Sequence, residues 1–208
     1  MSLRTPYGNE SIQVEEYKRP TFSVEVDPIE GSYELNELVN VKGKSMAFSG
    51  AFISSAQVKY RIVRQPWFPF YFWRGGFNTP EVEIGSGETS TDSEGKFSFD
   101  FQAIPGDRST FGRNGKAVFT YKIYVDVVDI SGETHSAESF VRIGETALDI
   151  RIDIPDQVYK DELLAFKVIT HNLNGQFVET AGKIEVIALE TPEQTFRARK
   201  WEMPDQYL

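Results

Sequence analysis

Between Lys96 and Gln102 the chain alternates without exception, Phe97, Phe99 and Phe101 on one parity and Ser98 and Asp100 on the other. The same two-residue period runs through Tyr121, Ile123, Val125 and Val127. It returns in Leu148, Ile150, Ile152 and Ile154, where Asp149, Arg151 and Asp153 occupy the opposite parity. Successive side chains of a strand point to opposite faces, so this pattern predicts half-buried strands with one dry face and one wet face. No stretch repeats its apolar residues at the helical spacing of i, i+3, i+4 and i+7. Short polar connections with glycine, "TDSEGKF" at 91–97 and "DISGET" at 129–134, separate the alternating runs and predict hairpins. The expected class is all-β, built as antiparallel sandwiches.

Two stretches share one rhythm. Phe22–Pro66 and Leu148–Pro192 align at an offset of 125 to 126 residues, with Phe22, Val24 and Val26 matching Leu148, Ile150 and Ile152. Tyr33 matches Tyr159, Gly50 matches Gly175, Ala56 matches Ala181 and Pro66 matches Pro192. Pairs kept in order at a constant offset are the mark of a structural repeat. The boundaries follow. Residues 18–144 form one complete unit, and 145–208 form the first half of a second. Residues 1–17 hold the last strand of a preceding unit behind "MSL", which reads as a vector scar. A half sandwich exposes its inner face, so 145–208 is expected to pack on a neighbour or to be poorly ordered.

Composition narrows the function. The 208 residues carry a net charge of −9, against the basic excess that nucleic-acid binding needs. There are no cysteines, so disulfides, thiol chemistry and thiolate metal sites are excluded from this chain. No apolar run approaches the roughly 20 residues of a membrane-spanning helix. His135 and His171 stand apart at no metal-ligand spacing, no serine sits in a G-x-S-x-G elbow, and no glycine-rich phosphate loop occurs. The chain therefore reads as non-catalytic, with no cofactor and no metal. Asp92 and Glu94, and Asp126, Asp129 and Glu133, cluster near turns. Their spacing does not match a calcium loop, and Asp and Gly favour turns for backbone reasons.

The junction "VEEYKRPTFSVEV" resembles the start of a macroglobulin domain of the alpha-2-macroglobulin family, E-Y-x-x-P-x-F-x-V, through Glu16, Tyr17, Pro20, Phe22 and Val24. The hairpin D-x-x-G-x-F of that family is matched by Asp92, Gly95 and Phe97, and "KDELLAFKVITHNLNGQFV" and "RKWEMPDQYL" resemble bacterial members. The resemblance implies tandem immunoglobulin-like macroglobulin domains, the second incomplete, from a broad-range endopeptidase inhibitor of the periplasm or cell envelope. It implies neighbouring domains of the parent chain as partners, and proteases as targets of the whole protein. The family's thioester needs a cysteine, so that chemistry lies outside this chain, and no bait segment is identifiable in it. The piece would be scaffold.

One segment asks for a separate reading. "WFPFYFWRGGF" places Trp67, Phe68, Phe70, Tyr71, Phe72, Trp73 and Phe77 within eleven positions. Each aromatic can remove about 150–250 Å² from water. The equivalent place in the second copy, "EQTFRARKWEMPDQYL", also leaves the sandwich after a proline, so the segment reads as an excursion over the sheet edge or onto the next domain. Protein contact is a further role for it. Membrane insertion is opposed by the net negative charge. A rival reading makes the chain a cell-surface adhesin or carbohydrate-binding sandwich whose aromatics stack on sugar rings. Arg197, Arg199 and Lys200 read as the wet face of a strand. The core is expected from Phe22, Val24, Val41, Val58, Tyr60, Phe97, Phe99, Phe101, Tyr121, Ile123 and Val125.

Overall fold

The computed structural model describes residues 2–5, 8–11, 20–68, 80–111, 115–155, 166–185 and 187. A short hairpin comes first, β1 (Ser2–Thr5) and β2 (Gly8–Ser11). Next are β3 (Phe22–Val26), β4 (Leu38–Ala47), β5 (Gln57–Pro66), β6 (Val82–Ser90), β7 (Lys96–Gln102), β8 (Val118–Val128) and β9 (Thr134–Gly144). They form two antiparallel sheets, one in the order β3-β4-β7 and the other β6-β5-β8-β9. The two-residue period is visible in the burial. Val39, Val41, Gly43 and Ser45 of β4 point inward while Leu38, Asn40, Lys42 and Lys44 face out. The inner faces of both sheets meet in one cluster, so the class is all-β with sandwiched antiparallel sheets.

Among the described residues, Tyr121, Phe22, Phe119, Ile62, Ile123 and Ile143 are the bulkiest side chains withdrawn from water. Each such burial is worth about 1.5–3 kcal/mol, which is what drives the sheets together. Of the residues expected in the core, nine are buried. Val24 and Tyr60 are only half-buried. Val24 lies on β3, an outer strand of its sheet, and Tyr60 stacks flat on Phe99 with ring centroids 3.8 Å apart. The turn at 129–134 is a true hairpin, because β8 and β9 pair along their whole length. The turn at 91–97 differs from the expectation. It is tight, with Asp92 N–H donating to Lys96 O and Gly95 N–H to Asp92 O, yet β6 and β7 belong to different sheets. It is a corner between layers, not a hairpin within one.

Beyond Gly144, β10 (Leu148–Asp153) and β11 (Lys167–Asn172) pair antiparallel. This hairpin repeats the geometry of β3 and β4. Phe22 faces Ala47 in the first pair and Leu148 faces Asn172 in the second. Each pair then enters the same turn. Ala47 N–H donates to Ala51 O and Gly50 N–H to Ala47 O; Asn172 N–H donates to Gln176 O and Gly175 N–H to Asn172 O. Gly50 and Gly175 sit at φ of 88° and 84°, a left-handed conformation that side chains resist. An isolated bridge closes each turn, Met46 with Phe52 and His171 with Phe177. The apolar face of β10 stays open, with Ile150 at 60% and Ile152 at 56% exposure.

Candidate functional site

The seam where β9 hands over to β10 concentrates unusual polar chemistry. Asn172 ends β11 and is 2% exposed. Its Oδ1 accepts from the backbone N–H groups of Asn174 (3.0 Å) and Gln176 (2.9 Å), which shapes its own turn. Its Nδ2 donates to Gln176 Oε1 and to Gly31 O, both at 2.7 Å. The last bond ties the β10–β11 turn to the segment between β3 and β4 across 141 residues of sequence. Two residues on, the Asn174 amide behaves as a short extra strand. Its Oδ1 accepts from Arg142 N–H at 2.7 Å, and its Nδ2 donates to Arg142 O at 3.3 Å. Among the described strands β9 is an outer one of its sheet, so this amide covers backbone groups that no described strand satisfies. Leu173, between the two asparagines, closes on Gly144, where an added Cβ would lie 2.9 Å from Leu173 Cδ1.

Asn172→Ala should therefore loosen the seam. It strands two turn N–H groups and the Gly31 carbonyl, at a cost of about 1–3 kcal/mol. Amide exchange should accelerate in 167–178 and leave β5 and β8 unchanged. Unaltered protection throughout would show that Asn172 does not hold the seam.

Of the aromatic segment, Trp67 and Phe68 lie within the described residues; Phe70, Tyr71, Phe72, Trp73 and Phe77 lie outside them. Trp67 prolongs the pairing of β5 and β8, its N–H donating to Val118 O at 2.8 Å. The Arg142 guanidinium lies over its ring at 5.3 Å and over Phe140 at 5.7 Å. Phe68 begins a series of rings leading inward. It tilts against Phe111, on the 3-10 turn Arg108–Phe111, at 5.2 Å, and Phe111 meets Phe119 edge-on at 5.2 Å. Trp67, Phe68, Phe111, Arg142, Leu148 and Leu173 enclose much of a cleft of about 1050 Å³ between the sandwich and the β10–β11 turn.

Of the junction motif, Pro20, Phe22 and Val24 lie within the described residues; Glu16 and Tyr17 lie outside them. Thr21 N–H donates to Glu133 Oε1 at 2.8 Å, and the His135 ring meets Phe22 edge-on at 4.4 Å. His135 also contacts Glu133 Oε1 through Nε2 at 2.8 Å, so it serves as a packed strut between β3 and the β8–β9 turn. The acidic turn residues are engaged with backbone. Asp92 Oδ1 accepts from Glu94 and Lys96 N–H, and Asp129 Oδ1 accepts from Ser131 and Glu133 N–H. The Ser131 hydroxyl, followed by those backbone donors, holds the Asp129 carboxyl below the usual carboxylate range. Near the seam, the Arg108 guanidinium does the same to Glu145. Among the described residues no group of His, Asp and Glu could hold a metal ion. Arg197, Arg199 and Lys200 lie outside them.

Arg142, Phe111, Asn172 and Asn174 did not stand out in the sequence. The run "NLNG" at 172–175 carries the usable signal, since asparagines ahead of a glycine favour turns in which their amides bind nearby backbone.

No protein-family model matches the chain, and no curated protein does. Solved structures do resemble it. The native conformation of E. coli alpha-2-macroglobulin matches with a TM-score of 0.50 and 8% identity over 81% of this chain and 12% of that one. The elastase-activated form of the E. coli protein matches with a TM-score of 0.50 and 9% identity over 81% and 15%. Salmonella alpha-2-macroglobulin reacted with methylamine matches at 0.50 and 9% over 82% and 12%. Identities this low show a shared fold and nothing finer. The chain spans 12–15% of the length of these proteins.

Proposed function

We propose that the chain is a non-catalytic scaffold from an alpha-2-macroglobulin-like endopeptidase inhibitor of the periplasm or cell envelope. In this reading 18–144 is one whole macroglobulin-like unit, 145–208 opens the next, and 1–17 belongs to the tail of a preceding one. The unit's task is to hold its neighbours at a set angle; proteases are met by the parent protein as a whole. The observation that carries the reading is the likeness to bacterial alpha-2-macroglobulins across four-fifths of the chain, at the level of fold. The seam supports it, because a buried asparagine that bonds one unit to the other suits a rigid array better than two independent beads.

The test uses the parent protein. Trypsin and elastase are each mixed with it, and casein breakdown is followed. Loss of casein breakdown by both proteases supports the proposal, and casein digested at the full rate by both overturns it.

A further inference from the structure

The cleft at the seam has the features of a ligand site. Its volume, about 1050 Å³, lies at the upper end of the range for small-molecule sites, and its wall is mainly apolar. Phe68, Phe111, Val118, Leu148 and Leu173 supply that apolar surface. Among the described residues, Nε of Arg142 and Nδ1 of His171 are shielded and have no hydrogen-bond partner, and both residues line the cleft. A buried polar atom without a partner is costly, and native structures keep few of them.

Arg142 is posed for a particular kind of acceptor. The rings of Trp67 and Phe140 lie 5.3 and 5.7 Å from its guanidinium carbon, so they restrict where that group can go. Its in-plane N–H fork remains, and a planar carboxylate matches a fork in two parallel bonds. Lys116 lines the same cleft and adds a second positive charge. Asp149, the cross-strand partner of His171, is the single carboxylate among the lining residues described. The chain as a whole carries a net charge of −9, so a cleft lined by two cations and one described carboxylate is a local reversal of sign.

We propose that this cleft binds an amphipathic carboxylate, its acidic head on Arg142 and Lys116 and its apolar body against Phe68, Phe111, Leu148 and Leu173. Such a ligand would touch the sandwich and the β10–β11 turn together, and so would bind the closed seam better than an open one. The site does not depend on protease inhibition.

Dodecanoate is the probe, titrated into the 208-residue chain by calorimetry, with dodecyltrimethylammonium as a match of equal tail and opposite charge. Dodecanoate should saturate one site, with a Kd below about 1 mM. The cationic match should bind at least about tenfold more weakly. Arg142→Met should weaken dodecanoate by at least about tenfold, the usual scale for a lost charge-assisted hydrogen bond. Lys116→Gln should weaken it less, with its thermal midpoint unchanged. In parallel, the methyl signals of Leu148 and Leu173 should shift on addition. That readout stands even if Arg142→Met does not fold. Equal binding of the two amphiphiles, an Arg142→Met affinity equal to the native one, or methyl shifts that miss both leucines would each overturn the site.

Discussion

Phe119→Ala should destabilise the sandwich by about 3–5 kcal/mol, enough to consume a large part of an ordinary domain's stability. Phe119 is 1% exposed on β8, facing the core. Its ring also anchors the end of the sandwich. Phe111 leans on it edge-on, and the Arg64 guanidinium lies over it at 5.6 Å. Arg64 in turn donates to Ile104 O at 3.0 Å and Pro105 O at 2.6 Å, while the Tyr121 hydroxyl donates to the same Ile104 carbonyl at 3.0 Å. Removing the ring leaves a void beneath a side chain that fixes the 103–107 loop, so little can collapse to fill it. Urea unfolding should show a lower midpoint with an unchanged slope. Phe140→Ala is the control. That ring is 59% exposed, and its loss should cost well under half as much. A Phe119→Ala cost no larger than that of Phe140→Ala would contradict the packing described.

The second large effect comes from adding a methyl group. Gly43 lies on the inner face of β4, opposite Val26 on one side and Phe97 on the other. A Cβ there would stand 2.4 Å from Phe97 Cζ and 2.5 Å from the Glu25 carbonyl oxygen. Replacing glycine with alanine usually gains about 0.4–1 kcal/mol by restricting the unfolded chain. Overpacking a filled core costs typically about 1–3 kcal/mol, so the clash prevails and Gly43→Ala should be less stable than the native protein. The two clashes can be separated. Phe97→Leu removes the ring tip but leaves the Glu25 carbonyl in place. The double variant Gly43→Ala with Phe97→Leu should therefore recover only part of the loss in a mutant cycle. Full recovery would mean that the backbone of β3 yields freely.

Much of the fold could be read from period two alone. Phe97, Phe99 and Phe101 alternate because β7 has one dry face, and the long run in β8 is buried at every second residue for the same reason. The error at 91–97 has a physical origin. Asp92 and Gly95 make the same tight turn whether the strands on either side stay in one sheet or part into two. Local chemistry carries no record of which occurs. Gly43 gave no warning, since its constraint comes from a carbonyl 18 positions earlier and a ring 54 positions later. The seam was legible only in its turn. "NLNG" announces a bend, but the bond from Asn172 to Gly31 and the hold of Asn174 on Arg142 depend on where a distant strand ends.

The paired turns differ at one telling position. Ala47 stands in the β3–β4 turn where Asn172 stands in the β10–β11 turn, with the same backbone bonds around it. A methyl group cannot make the bond that the Asn172 amide makes to the Gly31 carbonyl. The β10–β11 turn thus carries a latch onto the Gly31 carbonyl, and among the described residues the β3–β4 turn has none at that corner. Two turns with one backbone template are therefore not interchangeable, and exchanging Ala47 and Asn172 would cost the β10–β11 turn its hold on Gly31.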